Sequence, residues 1–141
     1  MNVYADSSFF VSIYVEDEHS KAAERLISSG DRVWFTPLHY AEFTHAVEQQ
    51  VFRKNLPAAD AMDAHRDLET DRGAGLWVEV EIPENALNLC AQLAREHGSK
   101  LGMRTLDSLH VACALELKAE GFWTFDERQA KLGKAQGLKT N

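Results

Sequence analysis

The spacing of apolar and polar positions along the chain predicts short strands that alternate with helices. Apolar residues at helical spacing extend from Leu106 to Leu117 and predict one buried helix stripe. Gly121 ends that helix, and the run Phe122-Trp123-Thr124-Phe125 follows as a buried strand. Other strands are predicted at residues 2–5, 33–35, 76–80 and 138–140, the last as a short edge strand. Helices are predicted from residue 9 and over 19–29, 38–52, 58–71, 84–97, about 105–117, and after residue 126.

Strands separated by helices are typical of an α/β domain with a mostly parallel sheet flanked by helices. The chain has 141 residues and no repeat, low-complexity tract or linker, so we expect a single domain over residues 1–141. The helices at 38–52 and 58–71 are expected to stand out from the sheet as a helical pair that carries partner contacts.

Three acidic residues lie where a strand or loop leads into a helix. Asp6 ends the first predicted strand and is followed by Ser7 and Ser8, hydroxyls suited to capping the next helix. Asp126 repeats this arrangement after the Phe122 strand. Asp107 lies in the first turn of its helix, just past Thr105, the predicted cap. In open parallel sheets ligands bind outside the carboxyl ends of the strands, so we expect these carboxylates to converge there.

A fourth acid lies inside a helix. Thr36 and Pro37 form a predicted cap and first turn, and Glu42 follows one turn later. Leu38, Glu42 and Ala46 share one stripe, so Glu42 is expected to face inward, where a carboxylate without a partner is costly.

The ordered set resembles the PIN-domain ribonucleases, most closely the VapC-type toxins of bacterial toxin–antitoxin pairs. The resemblance covers nearly the whole chain and rests on the acid after the first strand, Glu42, the RTLD at 104–107 and the TFD at 124–126. It implies a PIN-like fold and one metal-binding site for RNA cleavage, built from Asp6, Glu42, Asp107 and Asp126. The family's hydroxyl near its first acid matches Ser8, with Ser7 as the alternative, and the hydroxyl near its fourth acid matches Thr124. His110 is a departure, since many relatives carry an aliphatic residue there.

Several carboxylates in one cleft repel each other, and a hard cation relieves that repulsion. Oxygen ligands favour Mg²⁺ or Mn²⁺ over Zn²⁺. The expected activity is therefore divalent-metal-dependent endoribonuclease chemistry, in which the metal activates water and no protein nucleophile is needed. His110, one turn after Asp107, is expected either to bond a carboxylate or phosphate or to be satisfied in packing, and Arg104 is a basic residue beside the site.

Charge and composition limit the remaining functions. The formal net charge is −7, with 22 acidic and 15 basic residues, which argues against a nucleic-acid binder unless bound metal reverses the local field. Lys100, Arg128, Lys131 and Lys134 supply cations near the proposed site. No secretory or membrane signal is recognisable, so we expect a cytoplasmic protein whose two cysteines, Cys90 and Cys113, are buried and reduced.

Each acid also has a simpler interpretation. Asp6 and Asp126 are suitable helix caps, and Asp107 is favoured near a helix amino terminus in any protein. A zinc site formed by His39, Glu42 and His45 is disfavoured, because their spacing is not H-E-x-x-H. The leading rival is a PIN-like module that binds RNA or protein without cleaving. A phosphotransfer receiver and a haloacid-dehalogenase-type phosphatase both fit poorly, the second because position 8 of the required D-x-D is serine.

The resemblance further implies a homodimer and a cognate VapB-type antitoxin. Apolar residues of the first helix (Phe9, Phe10, Ile13, Tyr14) exceed what one short helix is expected to bury, which favours the dimer. An antitoxin segment is expected to insert an Arg or Lys among the carboxylates, where its charge competes with the metal.

Overall fold

The central element of the fold is a parallel five-stranded sheet, in a computed structural model that describes residues 1–141. The strand order is β3-β2-β1-β4-β5, and every neighbouring pair is parallel. The strands are β1 (Asn2–Ala5), β2 (Arg32–Phe35), β3 (Val78–Glu79), β4 (Gly121–Trp123) and β5 (Lys139–Thr140). The first strand of the chain is therefore the central one, bonded on both sides.

Seven helices flank this sheet. They are α1 (Ser7–Tyr14), α2 (Ser20–Ile27), α3 (Pro37–Phe52), α4 (Ala58–Gly73), α5 (Ala86–Leu101), α6 (Thr105–Glu116) and α7 (Glu127–Ala135). The predicted α/β class, the alternation of strands and helices and the mostly parallel sheet are confirmed.

Side chains alternate across the sheet and create two apolar layers. Val3 and Ala5 pack with residues of α1 to α4 in one buried cluster, whereas Tyr4 packs with residues of α5, α6 and α7 in the other. This alternation is the two-residue period of a strand covered on both faces. Gly102 ends α5 in the left-handed conformation (φ 65°), which lets the chain reverse into α6 with little steric cost.

Two predicted helix starts differ from the structure. Asp6 itself is the N-cap of α1, in place of the serine hydroxyls, because its carboxylate accepts from the Phe9 amide. Arg104 is the N-cap of α6, and Thr105 is its first helical residue. The Asp107 carboxylate reaches back to the Arg104 amide at 3.2 Å, so the acid serves the cap and no threonine hydroxyl is needed.

The strands are shorter than predicted. β4 ends at Trp123 because the next amide, that of Thr124, donates to the Asn141 side chain at 2.7 Å and not to a strand. β3 keeps only two of the five predicted residues.

The burial of several apolar residues also corrects the predictions. Phe9 and Phe10 are fully buried within the single chain, and Ile13 and Tyr14 are partly buried against the same core, so the argument for the dimer from unburied residues of α1 is weakened. Leu106, expected in the buried stripe of its helix, is 45% exposed. Cys90 and Cys113 are buried free thiols, as predicted. No helix has the length and apolar character needed to cross a membrane.

Candidate active site

A polar cavity of about 390 Å³ opens beside the carboxyl end of the central strand. Three of the four predicted acids, Asp6, Glu42 and Asp107, line it. They come from the end of β1, from α3 and from the start of α6, which are 36 and 65 residues apart along the chain. Only two of the fourteen lining residues are hydrophobic, so the cavity suits a polar ligand.

Asp6 is held by donors on both carboxylate oxygens. Ser8 donates to Oδ1 at 2.7 Å and the Phe9 amide donates to the same oxygen at 3.1 Å. Thr124 lies 2.9 Å from Oδ2. Burial nevertheless raises the pKa of Asp6 above its ordinary value, because the hydrogen bonds from these donors only partly offset desolvation. The hydrogen bonds of the protein therefore do not fully replace the hydration that the Asp6 carboxylate loses on burial.

Glu42 has a different environment. The fully buried stripe of α3 is His39, Phe43 and Val47, so Glu42 lies at the edge between the core and the cavity, with its side chain 25% exposed. The Ser7 hydroxyl donates to Glu42 Oε1 at 2.8 Å, and Nε2 of His110 makes a short contact with the same oxygen. Burial acts to raise the pKa of Glu42, but His110 and Ser7 outweigh it and hold that pKa below its ordinary value. The predicted inward carboxylate thus has its partners.

Asp107 is the acid at the amino terminus of α6. Besides its bond to the Arg104 amide, its Oδ2 lies 3.6 Å from Nε of Arg104, whose side chain is 84% exposed. An ion pair this exposed contributes little stability. Arg104 also lines the cavity, so its charge is available to a ligand there.

Asp126 does not line the cavity. It is the N-cap of α7, where it accepts from the Gln129 amide at 2.9 Å, and its side chain is 38% exposed. The Arg128 guanidinium lies 3.8 Å from its carboxylate. The structure thus supports the simpler capping interpretation of this acid, and its predicted part in metal binding stays a prediction.

Two buried polar residues join the acids. The Thr124 hydroxyl accepts from the Asp126 amide at 3.0 Å, and it can donate its single hydrogen either to Asp6 or to Gln129 Oε1 at 2.8 Å. The Gln129 amide group lies 3.3 Å from the Asp107 carbonyl and 3.5 Å from its carboxylate. Sequence reasoning identified Thr124 and missed Gln129, which carries no signal beyond its position three residues after a cap.

The histidines have distinct roles. His39 is fully buried, contacts the Ala5 carbonyl at 2.7 Å and accepts from the Thr36 amide at 2.9 Å, while His45 bonds the Ala41 carbonyl within its own helix. Neither histidine hydrogen-bonds to Glu42, and these residues form no group that could hold a metal, which argues against the zinc arrangement already disfavoured by sequence. Burial lowers the pKa of His39 well below its ordinary value, so this ring is neutral.

His110 bonds the Glu42 carboxylate and is also buried among packed side chains. The two predicted roles, a bond to a carboxylate and a place in the packing, are therefore both present. Its Nδ1 lies 2.8 Å from the Tyr4 hydroxyl and its Nε2 lies 3.1 Å from the Ser7 hydroxyl. Sequence reasoning missed Tyr4 because its alternation along β1 indicates only a core residue. In this conformation no three carboxylate, histidine or cysteine side chains are close enough to enclose a metal ion directly.

Comparisons with known proteins agree with this fold. The family model described as "PIN domain" matches residues 3–135. The VapC20 toxin of Mycobacterium tuberculosis, described as cleaving the sarcin–ricin loop, is 14% identical with a TM-score of 0.71, and the match covers 96% of this chain and 95% of that one.

Two further solved structures are similar. VapBC2 of Rickettsia felis, solved bound to a DNA fragment from its promoter, is 12% identical with a TM-score of 0.66 and coverage of 100% and 98%. FitAcB of Neisseria gonorrhoeae is 14% identical with a TM-score of 0.68 and coverage of 98% and 95%. Curated protein sequences give no significant match.

Proposed function

The chain belongs to the PIN domain family, and from that premise we propose that it is a divalent-metal-dependent endoribonuclease, the toxin of a type II toxin–antitoxin module. The observation that carries the proposal is the cavity where Asp6, Glu42 and Asp107 meet beside the carboxyl end of the central strand. Acids so far apart in sequence are not brought to one polar cavity by helix capping alone.

The donor set fits Mg²⁺ or Mn²⁺. The ligand atoms are carboxylate and hydroxyl oxygens, and the buried, under-compensated charge of Asp6 favours a nearby cation. Mg²⁺ usually keeps several waters and binds through one or two carboxylates, which agrees with acids that share a cavity without forming a closed cage. Asp6 and Asp107 would hold the ion directly or through water. Asp126 would contribute indirectly, because its carboxylate accepts from the amide of Gln129, the residue that supports Asp107.

The protein's own residues then have separate tasks. Ser8 and Thr124 orient Asp6, and Gln129 supports Asp107. Glu42 holds metal or orients the attacking water. When bound, the metal supplies Lewis-acid chemistry, polarising the phosphodiester and lowering the pKa of water. Arg104, exposed at the cavity edge, is placed to contact an RNA phosphate.

The test is incubation of the purified protein with a panel of RNAs, with and without Mg²⁺ or Mn²⁺. Cleavage should require metal and should be lost in Asp6→Asn, while Glu127→Gln, an exposed acid outside the cavity, should cleave as the wild type does. RNA binding without cleavage under all metal conditions would instead support the non-catalytic PIN-like module.

The toxin assignment adds a VapB-type antitoxin, a cytoplasmic location and a homodimer. The three structures above come from toxin or toxin–antitoxin systems, and the helical pair α3–α4 exposes apolar side chains suited to a partner, with Phe52 at 83% and Met62 at 72% exposure. We expect the antitoxin to place an Arg or Lys among the carboxylates. Binding by the protein encoded next to this one should weaken in Asp6→Asn, and equal affinity for the wild type and for Asp6→Asn would contradict the insertion.

Light scattering tests the homodimer, because the mass in solution should be twice the monomer mass of 15.9 kDa.

A further inference from the structure

His110 is a buried histidine whose hydrogen bonds reach three other elements. It lies on α6 with 2% of its surface exposed, and its ring contacts Tyr4 of β1, Ser7 of α1 and Glu42 of α3. Glu42 is 68 residues away in sequence and Tyr4 is 106 residues away. The ring therefore lies between the core and the carboxylate that faces the cavity.

The hydrogens of this network can be assigned from its partners. The Ser7 hydroxyl and Nε2 of His110 both approach Oε1 of Glu42, and a carboxylate oxygen accepts hydrogen bonds. The Nε2 atom of His110, in contact with Glu42 Oε1, must then carry a hydrogen. The Tyr4 hydroxyl lies 2.8 Å from Nδ1 and has no other hydrogen-bond partner, so it donates its hydrogen to Nδ1.

His39 provides an internal comparison. Its ring centroid lies 5.1 Å from that of His110, and it is also buried. Its hydrogen bonds, however, go to Ala5 and Thr36, so it fixes the path of the backbone before Asp6 and the start of α3. His110 differs because both of its nitrogens bond side chains and one of those side chains is an acid of the proposed site.

We infer that Tyr4 and His110 form a positioning pair, in which the Tyr4 hydroxyl fixes the Nε2-protonated tautomer of His110 and the Nε2–H group holds Oε1 of Glu42 in place. The inference rests on the proposed function and gives Glu42 a defined orientation within it. Both donors to Glu42, His110 and Ser7, reach Oε1, and no protein donor reaches Oε2. That second oxygen is left for the metal or the attacking water. His110 is thus a positioning residue, since it acts through Glu42.

The first measurement does not depend on activity. Nitrogen-15 NMR of the metal-free protein should show a hydrogen on Nε2 of His110 and an Nδ1 that accepts a hydrogen bond. The His110 signals are identified by their loss in His110→Gln. Tyr4→Phe keeps the aromatic ring and should move the Nδ1 resonance toward that of an acceptor without a partner. A His110 ring protonated on Nδ1, or on both nitrogens, would overturn the inference.

The second measurement separates positioning from packing. His110→Leu fills the space without a donor, whereas His110→Gln keeps an N–H group that can reach Glu42. With saturating metal, His110→Leu should lower kcat for RNA by about 10–100-fold with KM unchanged, as for other outer partners of metal sites, and His110→Gln should recover most of that loss. Leu93→Ala, a buried change in the same apolar layer, is the control for lost stability.

Equal losses in His110→Leu, His110→Gln and Leu93→Ala would show a merely structural role and reject the inference. If the wild-type protein cleaves no RNA, the proposed function fails, while the NMR measurement still decides whether Tyr4 and His110 set the tautomer.

Discussion

Asp6 and Asp126 occupy similar places in the sequence, but only Asp6 reaches the cavity. Both follow a strand, and both cap the next helix by accepting from the backbone amide three residues later. Asp6 is 6% exposed, whereas the Asp126 side chain is 38% exposed and lies outside the cavity.

The link from strand to helix accounts for this difference. β1 ends at Ala5, so Asp6 follows immediately, whereas β4 ends at Trp123 and two residues separate it from Asp126. The first of those two residues, Thr124, fills the place beside Asp6 and donates to it. A capping position therefore does not by itself make an acid a site residue, because the length of the connection decides where the carboxylate points.

The largest expected effect separates the two acids in catalysis. Asp6→Asn should reduce metal-dependent RNA cleavage by roughly 100-fold or more, because it removes a charge that faces the cavity. Asp126→Asn should cost about 10-fold or less, because the Asp126 side chain touches the site only through its bond to the Gln129 amide. Both variants keep a good helix cap, so circular dichroism should show intact folds. Equal losses in the two variants would mean that Asp126 moves into the site when metal and RNA bind.

The next effect concerns the residue that connects them. Thr124→Val keeps the shape but removes the hydroxyl, so Asp6 loses a donor and the Asp126 amide loses its acceptor. The free energy of unfolding should fall by about 1–3 kcal/mol in denaturant titration. Thr124→Ser, which keeps the hydroxyl, is the matched control and should recover most of that loss.

A smaller effect follows from the raised pKa of Asp6. Well below pH 3.8, the Asp6 carboxyl is protonated in both the folded and the unfolded protein. As pH rises, the unfolded chain ionises first, so stability is lost until the raised folded pKa is passed. Metal-free Asp6→Asn lacks this loss and should be more stable than the wild type at neutral pH.

Bound metal should reverse this difference in stability between the wild type and Asp6→Asn. Mg²⁺ should raise the Tm of the wild type, and of Asp126→Asn, because it offsets the charge of Asp6, and it should have little effect on Asp6→Asn. Thermal unfolding across pH and metal concentration measures both parts. This account would be contradicted if the stability of the wild type relative to Asp6→Asn rose with pH. It would also be contradicted if Mg²⁺ raised the Tm of Asp6→Asn as much as that of the wild type.

The smallest effect tests Asp126 as a cap. Asp126→Ala should lower stability by about 0.5–1 kcal/mol, at the lower end for caps because the side chain is partly exposed, and Asp126→Asn should lower it by less. Denaturant titration of both variants at fixed pH checks the difference. No difference between Ala and Asn would show that the bond to Gln129 contributes nothing to α7.

The sequence determined the features that depend on neighbours a few residues apart. The two-residue alternation of Val3, Tyr4 and Ala5 specifies a strand with two buried faces, and Thr36 with Pro37 specifies the start of α3. The order of the strands and helices and the four candidate acids follow from such local patterns. These signals are reliable because helix and strand periods and caps act within about one turn.

Only the tertiary structure decided how these elements meet. It buried Phe9 and Phe10 within the single chain, brought His110 to Glu42 and Tyr4, and separated Asp126 from the cavity that Asp6 lines. The contacts of His110 with Glu42 and Tyr4 join residues 68 and 106 positions apart. Their geometry depends on the crossing of packed helices over the sheet and on the exact residue where a strand ends, which no local pattern records.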